Sequence, residues 1–242
     1  EGSSSLGLVL NKTKNFILYN RIKSTIKTLN EGASVIEIGA GDGSLLIAIR
    51  KYRPDLRLAA LDLRFSSHVK DILVQHDICI VESSLESVEI DEKFDFIVMN
   101  QLIEHLWDVR RSLATVGMIL AVHGTLSIST PNIDGYDRKF FNGGTWGGYY
   151  IPRHLNLFSQ QHLSRILSEE GFKLIERKHL VAPVIWMLSF HCVLKKRNSK
   201  MASFFTATNL ALMTLFTLVD IVALIVGKTT SNQQVIAGLN KR

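Results

Sequence analysis

The stretch SVIEIGAGDGS at residues 34–44 decides the fold. It is typical of a short buried strand that runs into a glycine loop, 39–43, followed by a helix that begins at Ser44. Glycines at alternate positions of this loop allow positive φ and let a ligand lie against bare backbone. The first turn of the next helix offers unpaired N–H groups to the same ligand. For the loop alone, a tight turn without a ligand is the alternative interpretation.

Two acids extend this pattern. A second apolar run, 58–61, ends in Asp62, at an offset where a carboxylate can bind two ribose hydroxyls. Glu37 lies two residues before the first glycine. The common dinucleotide fingerprint, G-x-G-x-x-G, places its third glycine where Ser44 stands, whereas the spacing here is G-x-G-x-G. Because an acid near the loop repels a phosphate but can meet an amine through water, the pattern favours a ligand with an ammonium group and no pyrophosphate.

The pattern resembles motif I of the class I S-adenosylmethionine-dependent methyltransferases. FDFIVMNQLIEHL at 94–106, STPN at 129–132 and HLNLFSQQHLSRILSEEGFKLIE at 154–176 resemble a subgroup that includes ubiquinone-pathway O-methyltransferases, of the methyltransferase domain 23 type. The resemblance covers residues 30–180 and, more loosely, the tail to 242. It implies a single α/β domain over 1–242, with a doubly wound, seven-stranded Rossmann-like sheet and S-adenosyl-L-methionine as cofactor.

The resemblance also implies a cofactor site at the carboxyl ends of the first strands. Its predicted residues are Glu37, Gly39, Ala40, Gly41, Gly43, Asp62, Leu63, Ser84, Leu85, Asn100 and Gln101. In the family, a loop acid usually contacts the adenine amino group, but the matching position here is the neutral Ser84. Either Ser84 accepts that hydrogen bond, or Glu82 or Glu86 takes its place.

Methyl transfer is an in-line displacement at carbon, so the protein mainly orients the acceptor atom. An oxygen acceptor also needs a base. The candidate catalytic residues are His154 and the pair Glu104–His105, although a lone histidine such as His154 can instead make a structural hydrogen bond. The pair could also hold a divalent cation, but relatives with that role carry an extra carboxylate where Gln101 stands. No metal is therefore predicted.

Composition narrows the function classes. The 242 residues are 46% hydrophobic and 21% charged, which excludes a disordered chain, and the formal net charge is +6. That charge permits nucleic acid or an anionic membrane as partner. Nucleic acid is disfavoured because the predicted fourth strand, 94–99, runs into NQLIEH, without the N-P-P-[YF]-like loop that holds a flipped base. Two cysteines provide no disulfide framework and fit a reducing compartment.

Three further segments carry predictions. A helix over 8–29 has one apolar and one basic face, and its basic face is either simply solvated or binds phosphate or lipid. Residues 133–153 are rich in glycine and aromatics and are predicted as a lid or acceptor-binding loop. An insertion at 181–227 separates the predicted strands six, 172–177, and seven, 234–239, which form a hairpin in class I methyltransferases.

The insertion holds an apolar run at 181–194, a basic segment at 195–200 and a second apolar run at 201–226 that is long enough to span a bilayer. If the insertion crossed the membrane once, strand seven would lie on the opposite side of the membrane from the other strands. Strand seven could then not complete the sheet. We therefore expect a pair of hydrophobic helices that lie in the interface, with the basic segment toward anionic headgroups. A soluble helical cap or a dimer interface is the alternative.

These observations predict an S-adenosylmethionine-dependent methyltransferase that O-methylates a membrane-proximal small molecule, lipid-linked sugar or polysaccharide precursor. The expected partners are a small-molecule, lipid or glycan acceptor and an anionic membrane surface, with no nucleic acid. The expected location is peripheral, on the cytoplasmic face of the membrane. The alternative is a catalytically silent binding module that keeps the methyltransferase fold and tethers a partner to the membrane.

Overall fold

The computed structural model describes residues 19–240, in which the strands form a seven-stranded sheet of order β3-β2-β1-β4-β5-β7-β6. The first five strands pair in parallel, and β7 runs antiparallel to both β5 and β6. The strands are β1 (Ser34–Ile38), β2 (Arg57–Asp62), β3 (Ile78–Glu82), β4 (Phe94–Asn100), β5 (Leu120–Pro131), β6 (Phe172–Leu180) and β7 (Asn232–Leu239).

Helices cover both faces of this sheet. They are α1 (19–28), α2 (Ser44–Tyr52), α3 (Ser67–Gln75), α4 (Val109–Ile119), α5 (Gln160–Glu169), α6 (Pro183–Lys196) and α7 (Leu210–Ile225). Residues 8–18 of the predicted first helix lie outside the described residues. Ser159 is the N-cap of α5, because its side chain accepts a hydrogen bond from the His162 N–H.

Alternation along the strands builds a core on each face of the sheet. In β1, Val35 packs on the side of α1, α2 and α3, whereas Ile36 and Ile38 pack on the side of α4 and α5. All five residues of β1 are buried, as expected for a central parallel strand. The predicted doubly wound, seven-stranded sheet is therefore confirmed.

The hydrophobic insertion between strands six and seven is also observed. β6 and β7 pair antiparallel from Phe172 opposite Leu239 to Leu180 opposite Asn232, with α6 and α7 in the connection between them. Since β7 is antiparallel to both neighbours, β6 runs parallel to β5, and the insertion leaves the sheet at the edge where β1–β5 also end. No helix within residues 19–240 is both long and apolar enough to cross a membrane.

Part of the predicted loop 133–153 is packed. Phe141 and Trp146 are buried in a cluster with Trp186 of α6 and Phe216 of α7. The side chain of Trp146 is only 1% exposed. The reason is that burial of apolar surface is favourable, and the aromatic side chains of the loop bury apolar side chains of the insertion. The loop and the insertion therefore form one structural unit beside the sheet.

Candidate active site

The glycine loop has the backbone geometry that its sequence predicts. Gly39, Gly41 and Gly43 have φ values of +75°, +55° and +69°, a region that side chains with a Cβ rarely adopt. A Cβ at Gly43 would lie 2.5 Å from the Leu73 side chain, so close packing also requires glycine there. A Cβ at Gly41 would have no atom of the described residues within 4 Å. The backbone at Gly41 therefore borders open space and is accessible to a ligand.

Asp62 lies at the tip of β2 and joins that tip to the loop. Its Oδ2 accepts a hydrogen bond from the Gly41 N–H at 2.8 Å, and its Oδ1 accepts one from the Leu63 N–H at 2.7 Å. Each carboxylate oxygen has a further lone pair, so ribose hydroxyls can still bind. Leu63 follows with its side chain 72% exposed beside this edge. The arrangement fits the ribose and an adjoining flat ring of a nucleoside.

Other predicted cofactor residues lie at the carboxyl ends of β1 and β4. Glu37 is a buried carboxylate within β1, and Ala40 is buried in the loop. Asn100 at the end of β4 accepts a hydrogen bond from the Ser129 hydroxyl. Gln101 follows with φ of +52°, and its Nε2 donates to Asn232 Oδ1 at 3.2 Å. Asn100 and Gln101 therefore link β4 to β5 and β7 at the edge where the loop lies.

The structure bears on the three alternatives for the adenine contact. Glu82 is engaged, because it accepts hydrogen bonds from the Phe65 N–H at 2.7 Å and from Lys70 Nζ at 2.6 Å. The hydrogen bond from Lys70 lowers the pKa of Glu82. Glu86 accepts a hydrogen bond from the Ser112 hydroxyl on α4. Ser84 shares a hydrogen bond with the hydroxyl of Ser87 at 2.7 Å and can rotate to meet a ligand.

Leu85, also predicted at the cofactor site, has a buried side chain in the core beneath the loop. Its side chain therefore supports the loop from below, and only its backbone is available to a ligand there.

The candidate catalytic residues form one cluster rather than separate alternatives. Glu104 and His105 lie in a 3₁₀ turn after β4, and His154 lies at the end of the loop 133–153. The two imidazole rings are 4.9 Å apart between centroids. One candidate ligand atom from each of the three side chains lies within 4.8 Å of the others.

Backbone carbonyls fix the tautomer of both histidines. His105 Nδ1 lies 2.8 Å from the Arg153 carbonyl oxygen, and His154 Nδ1 lies 2.8 Å from the Gly148 carbonyl oxygen. Because a carbonyl oxygen only accepts, each Nδ1 must carry the proton, and each Nε2 keeps a free lone pair. Burial lowers the pKa of His154, against the opposing effect of the Gly148 carbonyl, and the nearby His105 lowers it further. This shift favours the neutral ring, which can accept a proton at Nε2.

Glu104 is buried beside these rings. Its Oε2 accepts a hydrogen bond from the Thr130 hydroxyl at 2.9 Å, and its Oε1 has no hydrogen-bond partner within residues 19–240. Burial raises the pKa of this carboxyl, against the opposing effects of Thr130 and His105. The Glu104 carbonyl oxygen also accepts N–H bonds from Leu155 and Asn156. Glu104 therefore connects the end of the loop to the end of β4.

The same cluster has the donor set of a metal site: one carboxylate and two imidazole nitrogens. Backbone carbonyls that hold Nδ1–H are the usual outer partners of metal-bound histidines. The expectation of no metal, which rested on Gln101, stays a prediction.

Sequence patterns missed the groups that hold this cluster. Thr130 lies within the quoted STPN, but nothing in the spacing placed its hydroxyl on Glu104. The carbonyls of Gly148 and Arg153 carry no sequence signal, because every residue has one. These contacts come from long-range folding of the loop 133–153 onto the end of β4.

Comparison with known proteins agrees with this geometry. The family model described as a methyltransferase domain matches residues 14–177, more than half of the chain. A search of the curated proteins finds no match.

Three solved structures illustrate the likeness in fold. A putative sarcosine dimethylglycine methyltransferase from Galdieria sulphuraria has a TM-score of 0.61 at 16% identity, over 95% of this chain and 85% of that one. Phosphoethanolamine N-methyltransferase 2 from Haemonchus contortus, in complex with S-adenosyl-L-methionine, has a TM-score of 0.61 at 13% identity, over 95% and 53%. The [4+2]-cyclase SpnF has a TM-score of 0.62 at 13% identity, over 92% and 81%.

The seven-stranded sheet, the glycine loop and the family match define a class I methyltransferase. This chain belongs to the methyltransferase domain family. It is an S-adenosylmethionine-dependent methyltransferase, as the resemblance implied.

Proposed function

We propose that this methyltransferase transfers a methyl group to a hydroxyl oxygen of a small-molecule, lipid or glycan acceptor at the cytoplasmic face of a membrane. The observation that supports a hydroxyl acceptor is the cluster of Glu104, His105 and His154. A neutral amine attacks with its own lone pair, whereas a hydroxyl must lose its proton to a base. Two imidazole nitrogens with fixed lone pairs, beside a carboxylate, suit that proton transfer.

Each residue then has a defined task. S-adenosylmethionine, when bound, supplies an electrophilic methyl group on a sulfonium, and the glycine loop, Asp62 and Leu63 would hold it. His154 takes the hydroxyl proton at Nε2. The Nδ1–H bond to the Gly148 carbonyl holds the ring in place and stabilises the imidazolium that forms. The Glu104 carboxyl adds a nearby negative charge when it is ionised.

The surroundings of the cluster favour an acceptor with an apolar part. Trp107 follows His105 closely in the chain and is 89% exposed. Ile151 and Leu155 flank His154 and are also exposed, at 79% and 45%. Exposed apolar side chains around a polar centre are typical of a binding site for an amphipathic molecule. Lipid-linked sugars, polysaccharide precursors and quinone-type lipids have this character.

A methyl-transfer assay on lipid and glycan extracts tests the proposal. The protein is incubated with ¹³C-methyl-labelled S-adenosylmethionine and extract, and the carbon chemical shift of the product distinguishes O-methyl from N-methyl groups. We expect an O-methyl product. Wild-type turnover should fall as the pH drops through the pKa of His154, which lies below the ordinary value of 6.5, because the base becomes protonated.

The variant His154→Ala should keep its affinity for S-adenosylhomocysteine and lose turnover by roughly 10²–10⁴-fold, the usual contribution of a general base. His123→Ala is the matched control, because His123 is an exposed histidine on β5 outside the cluster. An N-methyl product, or a change of less than tenfold in His154→Ala, would contradict the proposal. Cofactor binding without any methyl transfer would favour the silent binding module.

A further inference from the structure

Helix α7 has two apolar faces, and only one of them is covered. Phe216, Asp220 and Ala223 point inward and are buried. The opposite face presents exposed apolar side chains along the length of the helix and just beyond it, between 51% and 78% exposed: Leu215, Leu218, Val222, Ile225 and Val226. Their spacing of three to four residues places them in one stripe.

The polar groups near this stripe are already satisfied. The Thr214 hydroxyl donates to the Leu210 carbonyl oxygen, and the Thr217 hydroxyl donates to the Met213 carbonyl oxygen, both at 2.8 Å. Asp220, the single acid of α7, is fully buried. The exposed face of α7 is therefore a continuous apolar surface, of the kind that marks an interaction site in a folded protein.

Exposed cations precede and follow α7 in the chain. Lys195 and Lys196 end α6, Arg197 and Lys200 lie in the connection between α6 and α7, and Lys228 comes just after α7. None of these five forms an ion pair with any residue in the range 19–240. Residues 181–231 contain Asp220 as their only acid, and Asp220 is buried, so the insertion itself presents no carboxylate to solvent.

We propose that the α7 face docks this protein on an anionic lipid bilayer, with the helix lying parallel to the membrane plane. An apolar stripe with flanking lysines and arginines fits the boundary between acyl chains and anionic headgroups. A second copy of this chain fits poorly, because a two-fold contact would bring two copies of these cations close together.

The topology of the sheet also relates this surface to the catalytic cluster. The insertion leaves the sheet at the end of β6, the edge where β1–β5 end and where the catalytic cluster lies. Docking through α7 therefore extends the proposed function, in which the acceptor lies close to a membrane. The functional role of the docking rests on that proposal. The docking itself requires no methyl transfer.

Vesicle flotation tests the docking with the full chain. Wild-type protein is mixed with vesicles of phosphatidylcholine alone or of phosphatidylcholine with phosphatidylglycerol, at several salt concentrations. We expect binding to the anionic vesicles that weakens as salt increases. Replacing Lys195, Lys196, Arg197 and Lys200 by glutamine should weaken that binding by roughly tenfold or more and remove most of its salt dependence.

The double variant Leu218→Glu/Val222→Glu should abolish flotation, since it places charge in the apolar stripe. Val74→Glu is the matched control, because Val74 is an equally exposed apolar residue on α3. Binding of S-adenosylhomocysteine, measured on every variant, shows whether each one is folded.

Two results would overturn the docking: wild-type protein that ignores anionic vesicles, or stripe variants that bind them as well as wild type. A dimer that Leu218→Glu/Val222→Glu dissociates, without vesicle binding by the wild type, would assign the face to contact between copies. Methyl transfer to detergent-solubilised extract, assayed on the same variants, separates the two proposals. If the wild-type protein transfers no methyl group to the extract, the proposed function is contradicted. If it transfers methyl groups but does not float with anionic vesicles, only the docking is contradicted.

Discussion

At the scale of single residues, two glycines share a left-handed backbone conformation, but only one of them borders the proposed cofactor site. Gly41 and Gly32 have φ of +55° and +71°, and a Cβ at either position would meet no described atom within 4 Å. Replacing either by alanine should cost about 1 kcal/mol in the free energy of unfolding, since both need a left-handed backbone. Only Gly41→Ala should weaken binding of S-adenosylhomocysteine, because its methyl group enters the space we assign to the cofactor.

Calorimetric titration and denaturant unfolding of the two alanine variants check this prediction, with Gly32→Ala as the control for strain. Equal cofactor affinity in both variants would mean that the open space beside Gly41 is not the cofactor site.

Asp62 is the residue on which the cofactor site most depends. We predict that Asp62→Ala weakens binding of S-adenosylhomocysteine by about 1.5–3 kcal/mol, because it removes charge-assisted hydrogen bonds to ribose. It also removes the acceptor of the Gly41 N–H, so the loop loses one of its hydrogen bonds to β2, while the bonds from the Gly39 and Ala40 N–H groups to the Leu61 carbonyl oxygen remain. Asp71→Ala on α3 is the control. Isothermal titration calorimetry measures both, and unchanged affinity in Asp62→Ala would place the ribose elsewhere.

At the scale of secondary-structure elements, a buried carboxylate joins α7 to α6 and to the loop 133–153. Asp220 accepts hydrogen bonds from the Ala182 N–H at 2.6 Å, from Trp186 Nε1 at 2.9 Å and from the Tyr136 hydroxyl at 3.4 Å. These donors come from the start of α6 and from the loop. Asp220 therefore links α7 to α6 and to the loop through hydrogen bonds.

We predict that Asp220→Ala lowers the free energy of unfolding by about 2–4 kcal/mol, because it leaves two buried N–H donors without an acceptor. Thr214→Ala, on the exposed face of α7, should change the stability by less than about 0.5 kcal/mol. Urea unfolding measures both variants. A loss below about 1 kcal/mol in Asp220→Ala would show that the insertion is held by apolar packing alone.

At the scale of the whole molecule, buried ionisable groups set the pH dependence of stability. Burial raises the pKa of Asp137, even though Ser231 and Trp146 donate hydrogen bonds to it. The folded state therefore holds the proton of Asp137 more tightly than the unfolded state does. Its contribution to stability is present at low pH and is lost as the pH rises from the ordinary value of 3.8 through the raised pKa.

The variant Asp137→Asn should not show this loss, because its amide does not ionise and can still bond Trp146 and Ser231. The stability of Asp137→Asn relative to wild type should therefore increase as the pH rises from about 4 toward neutrality. Thermal unfolding of both proteins at several pH values measures this difference. A difference that stays constant with pH would mean that Asp137 titrates alike in the folded and unfolded states.

Local sequence was informative wherever the physical signal is local. The strand, the glycine loop, the start of the helix at Ser44 and the acid at the tip of β2 all depend on neighbouring residues, and all were predicted. The loop 133–153 was harder, because its aromatic residues fit an open lid as well as a packed element. Their partners, Trp186 and Phe216, lie far along the chain.

The sequence by itself determined the first strand, the glycine loop and the helix after it, because backbone freedom and apolar periodicity depend on consecutive residues. Its resemblance to a known family added the seven-stranded fold class and the segments that contain the candidate catalytic residues. Only the tertiary structure decided that Glu104, His105 and His154 form one cluster, that two carbonyls fix the histidine tautomers, and that Asp220 is buried while an apolar face of α7 stays exposed. The physical reason is that these features are contacts between segments brought together by strand order and packing. Spacing along the chain carries no information about which distant group will accept a given proton.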